Sequence, residues 1–349
     1  RDDGEDVLRV VAAVLARAGG DERGFERSDL AVEMVALAVE FPKRVHELGG
    51  GEFGGFRVAA GLGHRVERRG PIADQCLRAE AHHDGLDVLA LAGAGLAVLW
   101  HGATGDVMLG ALLMPWLAVV LSTSYTMLKS RAPGEPSSMF YRAWWGETVA
   151  NFRTFVLRQP WAEPQPAVLP ATDGVKRVPV LLVHGYVCNH RLWDDVATRL
   201  RAEGHDLLAI NLEPLFTSID QYAEHIEVSV QALLKHSGQS QVALVGHSMG
   251  GLAIRSWMRQ CGSAHVARIL TLGTPHAGTK AAKQNRTPNG RQMLWDSAWL
   301  QGLAESETPE QRALMRIALT PQDNIVFPQR AQTLPGITPV VFEGLGRVQ

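Results

Sequence analysis

The stretch LVGHSMGGL, Leu244 to Leu252, sets a serine between two glycines in the order G-x-S-x-G. A serine hydroxyl attacks a carbonyl only when a base takes its proton, an acid orients that base, and donors meet the charge on the carbonyl oxygen. Several of these parts are visible. Ser248 is the candidate nucleophile, and Gly246 and Gly250 are small enough to let a strand and a helix meet at a strained turn. Asp323, in MRIALTPQDNIVFP, follows an apolar run and is the candidate acid, with Asp296 as a distant rival. The base is not visible. All thirteen histidines lie at or before His276, and none follows Asp323. The last nine residues, VFEGLGRVQ, carry Arg347, whose guanidinium stays protonated and cannot accept the serine proton. His184 reads as a structural loop residue. His247 stands beside the nucleophile but points wrongly for a base. His276 reads as shaping a loop, and neither it nor His190 has positional support as a substitute.

The elements that must hold these residues alternate between strand and helix. VPVLLVHG, HDLLAINL, QVALVGHS and VARILTLGTP read as strands, the first a continuous buried run. HRLWDDVATRLRAEG reads as a helix ending at Gly204, and MGGLAIRSWMRQC as another. SIDQYAEHIEVSVQALLKHSG is a further helix with one face of Ile219, Tyr222, Ile226, Val230 and Leu233, and Ser218 with Gln221 forms a possible capping box. Such alternation predicts an α/β fold, a mostly parallel sheet with helices on both faces. Ala277 to Gln311 interrupts the pattern. Its Met293, Leu294, Trp295, Trp299 and Leu300 suit a lid lining an acyl pocket, or a pair of ordinary amphipathic helices.

Three motifs in this order, LLVHGY, VGHSMGGLAIR and LGTPHAGT, resemble the α/β-hydrolase superfamily and, within it, bacterial triacylglycerol lipases and esterases. The resemblance runs from Val178 to the C-terminus, about half of the chain. It implies an oxyanion hole made by the backbone N–H groups of Tyr186 and Met249, and Asp323 as the acid in a D-x-I-V-x-P setting. It also implies a histidine after the last strand, TPVVFEGLG, where Arg347 stands, and a final helix beyond. The activity implied is hydrolysis of lipid-like carboxylic esters through an acyl-enzyme on Ser248, with no cofactor and no metal. A catalytically inactive binding or scaffold protein that keeps the fold is the alternative, and thioester or amide specificity remains open within the fold. A domain cut short at its C-terminus is the expectation for residues 171–349.

Composition sets further bounds. A net charge of -2 without a long basic run gives nucleic-acid binding little support, and 46% hydrophobic residues are ample for a core. Cys76, Cys188 and Cys261 are widely spaced and odd in number, which argues against a disulfide framework or zinc site and favours a reducing compartment. The sequence starts at Arg1 rather than Met, so the natural translation start is expected elsewhere unless the chain is processed, and no secretory pattern is visible there. Residues 1–80 read as a weakly structured extension, with helices plausible at Val7 to Ala18 and Asp29 to Glu40.

Residues 81–170 differ. VLALAGAGLAVLW, Val88 to Trp100, and VMLGALLMPWLAVVLSTSYTML, Val107 to Leu128, carry no charge and are joined by HGATGD. The second run is long enough for a membrane helix, so residues 88–128 are expected to form a membrane hairpin with Trp100 as an interface anchor and Trp116, which falls mid-segment, fitting that role poorly; a buried helical pair is the other reading. Arg65, Arg68, Arg69 and Arg78 before it, and Lys129, Arg131 and Arg142 after it, point both ends to the cytoplasm. The expected location is therefore a bacterial inner membrane with the hydrolase domain cytoplasmic. Trp144, Trp145, Phe152, Phe155 and Val156 mark an amphipathic helix for a membrane surface or for a neighbouring domain, followed by the proline-rich PWAEPQPAVLP. Nothing in the sequence sets the oligomeric state.

Overall fold

The apolar runs from Val180 onward form a sheet in which every pairing is parallel. A computed structural model describes residues 107–163, 166–172, 177–284 and 286–348, with side chains from residue 113 onward. The strands are β1 (Val180–Val183), β2 (Leu207–Ile210), β3 (Val242–His247), β4 (Val266–Leu272), β5 (Met315–Leu319) and β6 (Val340–Val341), in the order β2-β1-β3-β4-β5-β6. Burial on both faces explains why β1 and β2 are apolar throughout, and β3 as far as Gly246, rather than alternating. Successive residues still face opposite layers. Leu181, Val183, Val242 and Leu244 enter one core with Ile226, Val230, Leu252 and Trp257, and Val180, Leu182, Ala243 and Val245 enter the other with Trp193 and Leu200.

The chain leaves β1 for β2 on one side and returns to β3 on the other. The loops after β1 and β3 therefore diverge at a topological switch point, where open parallel sheets place their sites. The covering helices are α1 (Val107–Ser130), α2 (Ser137–Asn151), α3 (Asp194–Ala202), α4 (Tyr222–Ser237), α5 (Met249–Cys261) and the short α6 (Pro288–Gln292), α7 (Ala298–Glu305) and α8 (Pro309–Ala313). The expected face of α4 is buried as read, but its entry differs. Ser218 accepts the Asp220 N–H at 3.3 Å, a 3-10 turn spans Ile219–Gln221, and the helix starts at Tyr222, so the capping box does not form.

Three sequence expectations fall outside the described residues: the extension 1–80, the run Val88 to Trp100 and the arginines before it. The part of the expected membrane hairpin that is described is corrected. Val107 to Leu128 does form a helix, within α1, yet among the described residues no helix is long and apolar enough to cross a membrane. The reason lies in the second half of α1. It carries Ser122, Thr123, Ser124, Thr126, Lys129 and Ser130, and it buries Thr123, Met127 and Ser130 against protein. Trp116 packs edge-on against Phe152 at 4.9 Å and Trp145 at 6.3 Å rather than standing as an anchor.

From Trp116 onward the described residues belong to one compact unit. Helix α2 continues as a π turn over Phe152–Arg158, whose Arg158 meets Asp195 of α3 through two hydrogen bonds of 2.7 and 2.9 Å. Within the proline-rich stretch, Leu169 exchanges both backbone hydrogen bonds with Leu207, at 2.8 and 2.9 Å, and adds an antiparallel bridge to the edge of β2.

Candidate active site

Ser248 lies between β3 and α5 with φ 55° and ψ -126°, a left-handed conformation that a side chain rarely adopts. Its own N–H is held by Leu272 O at 2.8 Å. The turn closes because its neighbours lack side chains. A Cβ on Gly246 would stand 2.6 Å from Gly251 Cα, and one on Gly250 would overlap the Val183 carbonyl of β1. The sequence singled out both. It missed Gly185, where a Cβ would lie 2.6 Å from Ser248 Cβ and 3.1 Å from its Oγ. Gly185 thus brings the loop after β1 onto the serine, and a tight glycine directly after "VH" is the signal that could have found it.

The two expected oxyanion donors, Met249 and Tyr186, each directly follow a residue of this contact in sequence. Met249 is the first residue of α5, so its N–H belongs to the first turn, whose amides have no intrahelical acceptor and carry the positive end of the helix dipole. Tyr186 follows Gly185. Its ring lies 5.8 Å from Phe216 and its hydroxyl 3.4 Å from Thr287 Oγ1. Asn289 lies 3.7 Å from Met249 Sδ and donates to Leu215 O at 2.8 Å. The segment Thr287–Asn289 therefore supports both residues, a role with no signature in the sequence.

Most of the apolar residues singled out between Ala277 and Gln311 belong to the core. Met293 and Leu300 are buried, Leu294 and Trp299 pack against the same cluster, and Trp295 turns outward to Lys280. Trp299 Nε1 donates to Asp220 at 2.9 Å, and Gln292 accepts the Ile219 N–H at 2.8 Å, which ties the segment to the start of α4.

Asp323 stands in the loop after β5 and is 2% exposed. Its Oδ1 accepts the N–H groups of Ile325 at 2.9 Å and Val326 at 2.7 Å, so the loop fixes the carboxylate. Arg347 completes its shell. Nη1 donates to Oδ1 at 2.9 Å, to Oδ2 at 2.7 Å and to Gly273 O at 3.3 Å. The ion pair is buried, with side-chain exposures of 6% for Arg347 and 3% for Asp323. Asp296, the rival acid, lies exposed within the lid-like segment and accepts a hydrogen bond from Gln301 at 3.0 Å. The two halves of the site meet on consecutive peptides: Leu272 O receives the Ser248 N–H, and Gly273 O receives Arg347. Arg347 therefore spans from Asp323 to the carbonyl next to the one that holds the Ser248 N–H.

Three of the upstream histidines, His184, His190 and His276, are committed elsewhere. His184 Nε2 accepts the Leu212 N–H at 2.8 Å, so its Nδ1 carries the proton and donates to Gly185 O at 2.8 Å; burial lowers its pKa to about 4. His276 lies between Arg255 at 3.3 Å and Thr271 at 2.9 Å. Burial, and then the Arg255 charge, hold it well below the usual histidine range. His190 pairs with Asn211 at 3.0 Å. His247 turns edge-on to Trp193, neither ring nitrogen has a hydrogen-bond partner, and burial followed by the Arg347 charge keep it neutral well below its usual range. Among the described residues no hydrogen bond reaches Ser248 Oγ.

Comparison with known proteins bears on the same region. The sequence profile of the palmitoyl protein thioesterase family matches residues 179–315. The triacylglycerol lipase of Burkholderia plantarii is 32% identical over 125 residues, 33% of this chain and 34% of that protein. The triacylglycerol lipase of Pseudarthrobacter phenanthrenivorans is 32% identical over 120 residues, 32% of this chain and 37% of that protein. The chain thus matches about a third of the length of these curated relatives. Lipase B of Aspergillus fumigatus aligns over 70% of this chain and 77% of its own at 13% identity, with a TM-score of 0.41. The serine at its left-handed turn beside the switch point of a parallel sheet, together with the sequence matches, places the chain in the α/β-hydrolase superfamily.

Proposed function

We propose that this chain is a serine hydrolase of carboxylic esters, lipase- or esterase-like, acting through an acyl-enzyme on Ser248. The observation that carries the reading is the strained Ser248 turn at the start of α5, pressed against Gly185. In the first step Ser248 Oγ bonds to the carbonyl carbon, and the carbonyl electron pair moves onto oxygen, facing the N–H groups of Met249 and Tyr186. The alcohol then leaves with a proton, and water releases the acid and restores the hydroxyl. Substrates are lipid or other ester molecules by analogy with the lipases it matches. The thioesterase match extends the same chemistry to a thiol leaving group.

The proton of Ser248 needs an acceptor, and Arg347 is not one. Low turnover is therefore expected while arginine holds position 347. The buried Arg347–Asp323 pair also supports a second reading, an inactive protein that binds through the same fold. A fluorophosphonate probe separates them. The Arg347→His chain is expected to be labelled and to hydrolyse p-nitrophenyl esters, and the Arg347→His, Ser248→Ala chain to do neither. A folded Arg347→His chain that takes no label would overturn the hydrolase reading.

A further inference from the structure

We infer that the helical pair α1–α2 is a positioning element of the site, with Glu147 as the positioning residue for the loop that carries position 347. The inference rests on the reading of Ser248 as nucleophile. Residue 323 and residue 347 each sit between two neighbours that these helices hold. Before Asp323, Gln322 Nε2 donates to Glu135 Oε2 at 3.2 Å, in the turn between α1 and α2. After it, Asn324 Nδ2 donates to Thr126 Oγ1 of α1 at 2.9 Å. Further along the same loop, Gln329 Nε2 donates to Ser130 O at 2.9 Å. On the other side, the Val348 N–H donates to Glu147 Oε2 at 2.8 Å. The backbone of Gly346 lies so close to the same carboxylate that a Cβ there would stand 2.5 Å from Oε2.

A single carboxylate of α2 thus grips both flanks of residue 347. Glu147 is 1% exposed, and a buried carboxylate is costly unless hydrogen bonds compensate it. Here it spends that burial on the backbone of a segment with no regular structure after β6. The two loops are also joined directly: Thr320 Oγ1 donates to Leu345 O at 2.6 Å, and the Gly344 N–H donates to Gln322 Oε1 at 2.7 Å. Neither loop belongs to a helix or strand of the sheet, so the distance from acid to base position is set by this outer frame. A misplacement of about 1 Å in such a frame costs on the order of a hundredfold in rate.

Two experiments on the full chain test the inference. In the Arg347→His background, Glu147→Leu is expected to lower kcat by about tenfold or more at an unchanged KM, and Glu147→Gln, which keeps the acceptor, to hold kcat within about threefold. Unchanged kcat in the leucine variant, or failure of glutamine to rescue, overturns the assignment. In the Arg347 chain, Glu147→Leu is expected to speed amide exchange by about tenfold at Val348 and at Ile325 and Val326, the amides held by Asp323, while α5 keeps its protection. Unchanged exchange at Ile325 and Val326 overturns it independently of activity. Absence of label on Ser248 in Arg347→His would count against the hydrolase reading alone, and the exchange result would still decide this one.

Discussion

The two halves of the site are built in different ways. The nucleophile half is local. Ser248, Met249, Gly246 and Gly250 lie within five residues, and the second lip, Gly185 and Tyr186, follows the adjacent strand. Its geometry is enforced by contacts in which an added methyl would strike backbone. The acid half is assembled at a distance. Asp323 meets Arg347, and both are braced by residues of α1 and α2 about two hundred positions earlier. The difference teaches that the first half tolerates almost no change in sequence, whereas the second depends on which side chains the rest of the fold delivers.

Four changes would break or sharpen this contrast. The largest effect is expected for Asp323→Asn in the Arg347→His chain, a drop of about four orders of magnitude in kcat, as when a serine-triad carboxylate loses its charge. Ester turnover that is insensitive to the change would mean that the acid half is not used. Next, Asp323→Ala in the Arg347 chain leaves a buried guanidinium without its carboxylate. A loss of about 3–5 kcal/mol in urea unfolding is expected, much of it regained in the Asp323→Ala, Arg347→Met double variant.

A third effect belongs to the nucleophile half and to pH. His184, lowered to about 4 by burial, excludes a proton that the unfolded chain binds below its ordinary value near 6.5. The stability it supports is full above pH 6.5 and falls as pH drops toward 4, by about 3 kcal/mol over the window. His247 and His276 are shifted the same way and steepen the fall. Unfolding midpoints from pH 7 to 4.5 check this, and His184→Gln should flatten the slope. The smallest effect is expected at the rim of the acid half, where Arg330→Ala removes an ion pair to Glu135 at 2.9 Å. Arg330 is 55% exposed in its side chain, so a loss under about 1 kcal/mol in the same urea assay is expected.

Much of the sheet was legible in the sequence. Strands buried on both faces read as continuous apolar runs, so β1 to β5 stood out, and the turn at Ser248 was marked by glycines that no other residue could replace. Val107–Leu128 read as a membrane span although no described helix is long and apolar enough to cross one, because a helix packed against protein and one packed against lipid both read as apolar. Only the partners of Thr126 and Ser130 distinguish them. The lid-like segment was ambiguous for the same reason: Met293 and Leu300 are apolar whether they line a pocket or fill a core.

The sequence by itself determined the nucleophile turn and the alternation of strands and helices, because each follows from residue type and short-range spacing. Only the tertiary structure decided that Arg347 rests on Asp323 and Gly273, that His184, His190 and His276 are tied elsewhere, and that α1 and α2 grip both loops. Those outcomes rest on hydrogen bonds between residues far apart in the chain, whose directions no local pattern encodes.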